Sequence, residues 1–289
     1  VEQGIVTWIR DRRCRLARRD HVLYFCHIPK TCGTTFHRMI RSRFARRRVA
    51  PIVPNHAYFT DPAIRLERYD FLGGHLFFGY HLAALVPRPV RTVVLLREPR
   101  ALLLSMFKHG LEFADDPVHR HIRERCPTPE RFFTDPLMEA YVANPMTRYL
   151  GHAERALTPA VIDEARRLPT ADASRRLATV PGTAADDGTL LTTALGRLRE
   201  CQVVGLAEQL PESLDLVARR EGWPAFGPIP HLNESRDRTT PGDLAPRTLA
   251  AIDRLTMLDR ELYRAARARF TEALRDAPDA RHGPDRTVA

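Results

Sequence analysis

The chain has 289 residues, 44% of them hydrophobic and 28% charged, with a formal net charge of +10. That length and apolar content are enough for one large α/β domain or two small ones, and they argue against a disordered chain. The basic balance fits an anionic partner: nucleic acid, a polyanionic glycan, a membrane surface or a phosphorylated cofactor.

In chain order, residues 1–20 are arginine-rich and predict a helical extension that packs by Trp8 and Ile9. "HVLYFCHI", residues 21–28, is a continuous apolar run of strand length ended by Pro29. "TTFHRMIRSRFARRR" then places Phe36, Met39, Ile40 and Phe44 at helical spacing, so a strand-loop-helix unit is expected. "FLGGHLFFGYH" follows as a glycine-punctuated aromatic stretch. The second unit is "RTVVLLREPRALLLSMFKHG", with a strand at Val93–Leu96, Pro99 in the first helical turn, and Leu102, Leu103 and Met106 continuing the helix. Residues 170–188 are small and polar and predict a mobile loop. "CQVVGL" predicts a third strand, and "EQLPESLDLVARREG" a helix that ends at Gly222. One long amphipathic helix is expected from Pro246 to Leu274, and a disordered tail over 276–289. Strands alternating with helices imply a mostly parallel sheet covered on both faces, in a single domain over 21–275.

Five cysteines form no CxxC pair and show no metal-ligand spacing, which points to a reducing, cytoplasmic setting. No run approaches the roughly 18–20 apolar residues of a membrane span, and the N-terminus lacks a signal-peptide core.

Of the 45 Lys+Arg residues only Lys30 and Lys108 are lysine. Lys30 lies in "PKTCGTTF", between a strand and a helix. There the amides from about Thr31 to Thr35 and the helix dipole favour a phosphate. Gly33 would allow close approach, Thr34 and Thr35 add hydroxyls, and Lys30 adds a compact point charge. The Walker spacing is absent, because the lysine precedes the glycine, and no strand-end aspartate is placed for magnesium. In "LLREPRALLLS", Arg97 ends the second strand and Ser105 follows two turns into its helix, a pairing suited to a second phosphate.

Together "HIPKTCGTTF" and "LLREPRALLLSMF" resemble the two cofactor signatures of sulfotransferases that use 3′-phosphoadenosine 5′-phosphosulfate (PAPS), in the branch of the heparan and uronyl 2-O-sulfotransferases. The resemblance extends through "FLGGHLFFGYH", "NPMTRYLGH", "VVGLAEQLPESL" and "LNESRDR" to "LDRELYRAARARF". It implies a P-loop-like three-layer α/β domain with no metal requirement, releasing 3′,5′-adenosine bisphosphate (PAP). By the same resemblance Lys30, Thr31, Cys32, Gly33, Thr34 and Thr35 hold the 5′-phosphosulfate end, and Arg97 and Ser105 the 3′-phosphate. The segment Asn233–Arg238 closes over the cofactor through Arg236 or Arg238. Cys32 stands where many relatives have glycine. His75 matches the general base, and Lys30 would follow the charge on the leaving oxygen; His81 is a second candidate on the same stretch.

For the acceptor, a carbohydrate or glycosylated small molecule is expected, with Phe77, Phe78 and Tyr80 as stacking surfaces and Asn144 and Arg148 bordering the cleft. The run Arg41, Arg43, Arg46, Arg47 and Arg48 is read either as a solvated face or as an attractor for an acidic acceptor. The rival readings are a nucleotide-dependent kinase, which requires the missing Walker spacing, and a basic nucleic-acid-binding protein, for which no motif is present.

Overall fold

The computed structural model describes residues 19–53, 57–75, 82, 86–112, 117–151, 167, 186–230 and 239–276. Four strands, β1 (Val22–Cys26), β2 (Phe71–Gly74), β3 (Val90–Leu96) and β4 (Val203–Leu206), form one all-parallel sheet in the order β2-β1-β3-β4. The helices are α1 (Gly33–Arg41), α2 (Ala57–Thr60), α3 (Pro99–Glu112), α4 (Pro117–Arg125), α5 (Pro129–Phe132), α6 (Pro136–Val142), α7 (Pro145–Gly151), α8 (Asp187–Glu200), α9 (Leu210–Arg220), α10 (Pro246–Leu255) and α11 (Met257–Arg275).

β1 is buried along its whole length, as a central parallel strand should be. Its alternating side chains serve two faces. Phe25 packs on Phe36 of α1, whereas Cys26 faces Arg197 of α8 and Cys201 just beyond it. The α/β expectation therefore holds, with a helical layer on each side. A second apolar cluster lies outside the sheet, where Leu103, Leu104 and Phe107 of α3 meet Ile122, Phe132, Phe133, Met138 and Ile252. Among the described residues no helix is long and apolar enough to cross a membrane.

Four elements differ from the sequence reading. The "FLGG" stretch is a strand, β2, because its residues pair in register with β1 from Leu23↔Phe71 to Cys26↔Gly74; two glycines had disguised it. Helix α1 stops at Arg41, where the Ser42 hydroxyl bonds back to the Met39 carbonyl at 2.6 Å, and Phe44 reaches the core from the turn that follows. The predicted long C-terminal helix is two helices, broken at Thr256. The backbone there leaves helical geometry (φ −119°, ψ 18°), and the Thr256 hydroxyl bonds the Ile252 carbonyl. Helix α8 opens inside the predicted 170–188 loop, where Asp186 caps it through Thr189 N–H; the rest of that loop, residues 1–18 and the tail beyond 276 lie outside the described residues.

Candidate functional site

The strand order reverses at β1: the chain leaves β1 for β2 on one side and returns to β3 on the other. Ligands of open parallel sheets collect at the carboxyl ends of the strands at such a switch point. The loops after β1 and β3 meet there, and a hydrogen bond joins them: Arg97 Nη1 donates to the Lys30 carbonyl oxygen at 2.8 Å. Arg97 thus fixes the backbone that carries Lys30.

The β1 loop has an unusual backbone. Lys30 (φ 65°) and Cys32 (φ 60°) are both left-handed, and Cys32 sits at the N-cap of α1. Left-handed non-glycine residues are strained by roughly 1–3 kcal/mol each and collect at ligand sites. A left-handed residue before a helical one also turns successive amides into a concave anion-binding nest. Thr34 and Cys32 are exposed and Lys30 is half-buried. Burial, reinforced by the Arg97 charge, pulls the Lys30 ammonium below its ordinary range, while Glu112 opposes that shift. The Thr31 hydroxyl instead faces inward, fully buried, and donates to the Ile28 carbonyl at 2.8 Å, so it closes the loop; Thr35 is buried as well. Gly33 is required by packing: a Cβ there would lie 1.8 Å from Nε2 of His27.

His27, which the sequence reading passed over, links the loop to the third strand end. Its ring stacks between Phe25 (5.3 Å) and His75 (4.2 Å). His75 Nδ1 lies 2.8 Å from the His27 carbonyl oxygen. A carbonyl only accepts, so Nδ1 carries the proton and Nε2 carries the lone pair, the tautomer a general base needs. Desolvation lowers the His75 pKa, with the His27 carbonyl opposing, so the ring is neutral at pH 7. The position of His27 at a parallel strand's carboxyl end is the signal by which sequence could have found it.

On α3, Ser105 is half-buried. One turn later Lys108 donates to the Thr239 carbonyl at 2.7 Å, anchoring the chain where it emerges from segment 231–238. His109 and Glu112, on the same helix, both lie within electrostatic reach of Lys30. Glu98 caps α3 by accepting from Ala101 N–H at 2.7 Å, so its carboxylate is committed to the helix.

The predicted acceptor residues are placed differently. Asn144 Oδ1 accepts from the N–H groups of Leu258 and Asp259, and Arg148 Nη1 donates to the Ala140 carbonyl; both side chains serve the helical scaffold. Phe77, Phe78, Tyr80, His81, Arg236 and Arg238 lie outside the described residues. Within the basic run, Arg43 is buried, donating to the Pro224 and Ala225 carbonyls beneath Phe226, so it belongs to neither a solvated face nor an acceptor site. Beside Thr34 opens a groove of about 570 Å³ lined in part by His37, Arg38, Arg41, Arg46 and Ile52.

Compared with known proteins, the sequence matches no family model and no curated relative. The functional reading therefore rests on these residues.

The site's histidines also set acid sensitivity. Burial, aided by the neighbouring His75 charge, pushes His27 down to about 3; burial pushes His37 to about 4 and lowers His75. All three titrate lower in the folded than in the unfolded chain, where histidine titrates near 6.5. As pH falls below about 6.5 the unfolded chain takes up protons first, and stability is lost. Asp259, raised by burial to about 6, works the other way, one group against these three and His109, which burial also lowers. The melting temperature should fall between pH 6.5 and pH 5; a constant or rising value would refute this.

Proposed function

We propose that the chain is a sulfotransferase that uses PAPS to sulfate an acceptor hydroxyl. The observation that carries this reading is the convergence at one switch point of two strand-end cations, Lys30 and Arg97, joined by a hydrogen bond, with a histidine held in its base tautomer at the next strand end.

The residues fit a bisphosphorylated, sulfated nucleotide. The strained loop, the N-terminus of α1 and half-buried Lys30 gather positive potential around one point, and Arg97, just after β3, and Ser105, on α3, offer a second anchor. Bound there, PAPS supplies a sulfuryl group activated by a phosphate leaving group. Nε2 of His75 takes the proton of the acceptor hydroxyl, a role worth about 10²–10⁴ in rate. Lys30 holds its charge beside the developing negative charge, where preorganised electrostatics acts most strongly. Arg97 acts on that charge indirectly, by holding the Lys30 carbonyl. The arginines in the groove next to Thr34 favour an acceptor that itself carries negative charge, and a carbohydrate is the acceptor class proposed.

The test is a melting-temperature titration with PAP beside ADP with magnesium. A ligand that binds only the folded state at about 100 times its Kd adds about 2.7 kcal/mol, a rise on the order of 5 °C. PAP should produce that rise in the wild type and little in Lys30→Ala or Arg97→Ala. A response to ADP with magnesium alone would favour the kinase reading, and a response to neither would overturn a nucleotide site.

A further inference from the structure

Away from the switch point, the outer helical cluster brings three different donor types together. His121 lies on α4, Cys126 directly follows that helix, and Asp135 caps α6. The imidazole nitrogen, thiol sulfur and carboxylate oxygen all lie within 4.8 Å of one another, and His121 Nε2 is 3.2 Å from Asp135 Oδ2. The two carboxylate oxygens are divided in their work. Oδ1 accepts from the N–H groups of Leu137 and Met138, both at 3.0 Å, which fixes the carboxylate; Oδ2 turns to His121. The Cys126 thiol lies beside the same carboxylate.

We propose that His121, Cys126 and Asp135 bind a zinc-class divalent cation. Nitrogen, sulfur and oxygen donors in one tetrahedral set are characteristic of zinc, with bond lengths of roughly 2.0–2.3 Å. Three such ligands on one ion lie roughly 3.3–3.8 Å apart; the His121–Asp135 pair already stands at 3.2 Å, and the widest separation here, within 4.8 Å, has to close by about an ångström. The site is reachable: the His121 and Asp135 side chains are 28% and 21% exposed, while Cys126 supplies sulfur from the buried side. A water completes the shell on the open side. On binding, the thiol proton leaves to solvent, and a dication with one thiolate and one carboxylate forms a neutral centre, so the nearby Arg131 meets no net charge. The ion would tie α4 to α6 across Phe132 and Phe133, giving the outer cluster a link that its short helices lack. Two of the three donors are not cysteines and all three come from separate turns, so cysteine spacing did not reveal the set.

The untagged full chain, stripped with chelator, is titrated with Zn²⁺ and separately with Co²⁺. One equivalent should bind, raise the melting temperature, and give Co²⁺ a thiolate charge-transfer absorption. Asp135→Asn keeps a good helix cap yet removes the anionic ligand, and His121→Gln changes a partly exposed position. Each should weaken Zn²⁺ by more than about 100-fold, beyond the loss of an outer-shell partner, with the metal-free melting temperature little changed. Cys126→Ser should abolish the charge-transfer band. Failure to bind Zn²⁺, or binding that survives His121→Gln and Asp135→Asn, would overturn the proposal.

Discussion

Replacement of His75 by alanine is expected to lower transfer to any hydroxyl acceptor that the wild-type chain sulfates by about 100- to 10,000-fold, with PAP affinity nearly unchanged. The split follows from where His75 sits. It directly follows β2, and its ring stacks on His27 and bonds that residue's carbonyl, so its loss is expected to remove the proton acceptor and leave the phosphate contacts in place. The same geometry fixes the wild-type pH profile. The active form is neutral, and desolvation holds the His75 pKa below its ordinary 6.5. Rate should therefore rise through a pH below 6.5 and stay level above it, and that acid limb should vanish in His75→Ala. An alanine variant within about tenfold of wild type would mean that another group, or water, takes the proton. Loss of PAP binding in the same variant would instead make His75 a support for the loop, acting through His27.

The residues of the β1 and β3 loops were legible in sequence because both effects are local. A buried strand followed by a proline, a lysine and a glycine-started helix is a short-range pattern, and a parallel sheet brings such turns to one edge. What was not legible depends on partners distant in sequence. β2 owes its conformation to pairing with β1, which overrides its two glycines. Gly33 is needed because of the His27 ring, six residues away in sequence but directly beneath it in space. The placement of Asn144 shows the same limit most clearly: "NPMTRYLGH" suggested polar side chains beside a ligand, whereas the Asn144 amide is held by the start of a helix more than one hundred residues later.

That helix start supports the second large effect. The N-termini of α7 and α11 face each other and exchange caps. Asn144, left-handed at φ 46° just before α7, accepts from Leu258 and Asp259 N–H at 3.0 and 3.3 Å. In return, fully buried Asp259 accepts from Thr147 N–H and the Thr147 hydroxyl, both at 2.7 Å, and from Met146 N–H at 3.2 Å. Two helix dipoles and three donors make a buried carboxylate tolerable there, although burial still raises its pKa to about 6. Asp259→Ala would leave three buried donors unsatisfied at about 1–3 kcal/mol each; since neighbouring losses do not add fully, the expected destabilisation is about 3–5 kcal/mol by urea unfolding. Asp259→Asn keeps one carbonyl acceptor and should lose roughly half as much. The effect should also reach the site, because Met146 Sδ receives the Arg97 N–H at 3.4 Å, and Arg97 in turn holds Lys30. PAP affinity should therefore drop in Asp259→Ala at temperatures where the variant is still folded. A destabilisation below about 1 kcal/mol would mean that the exposed donors find other partners, and unchanged PAP affinity would show that Arg97 keeps its place without the α7 contact.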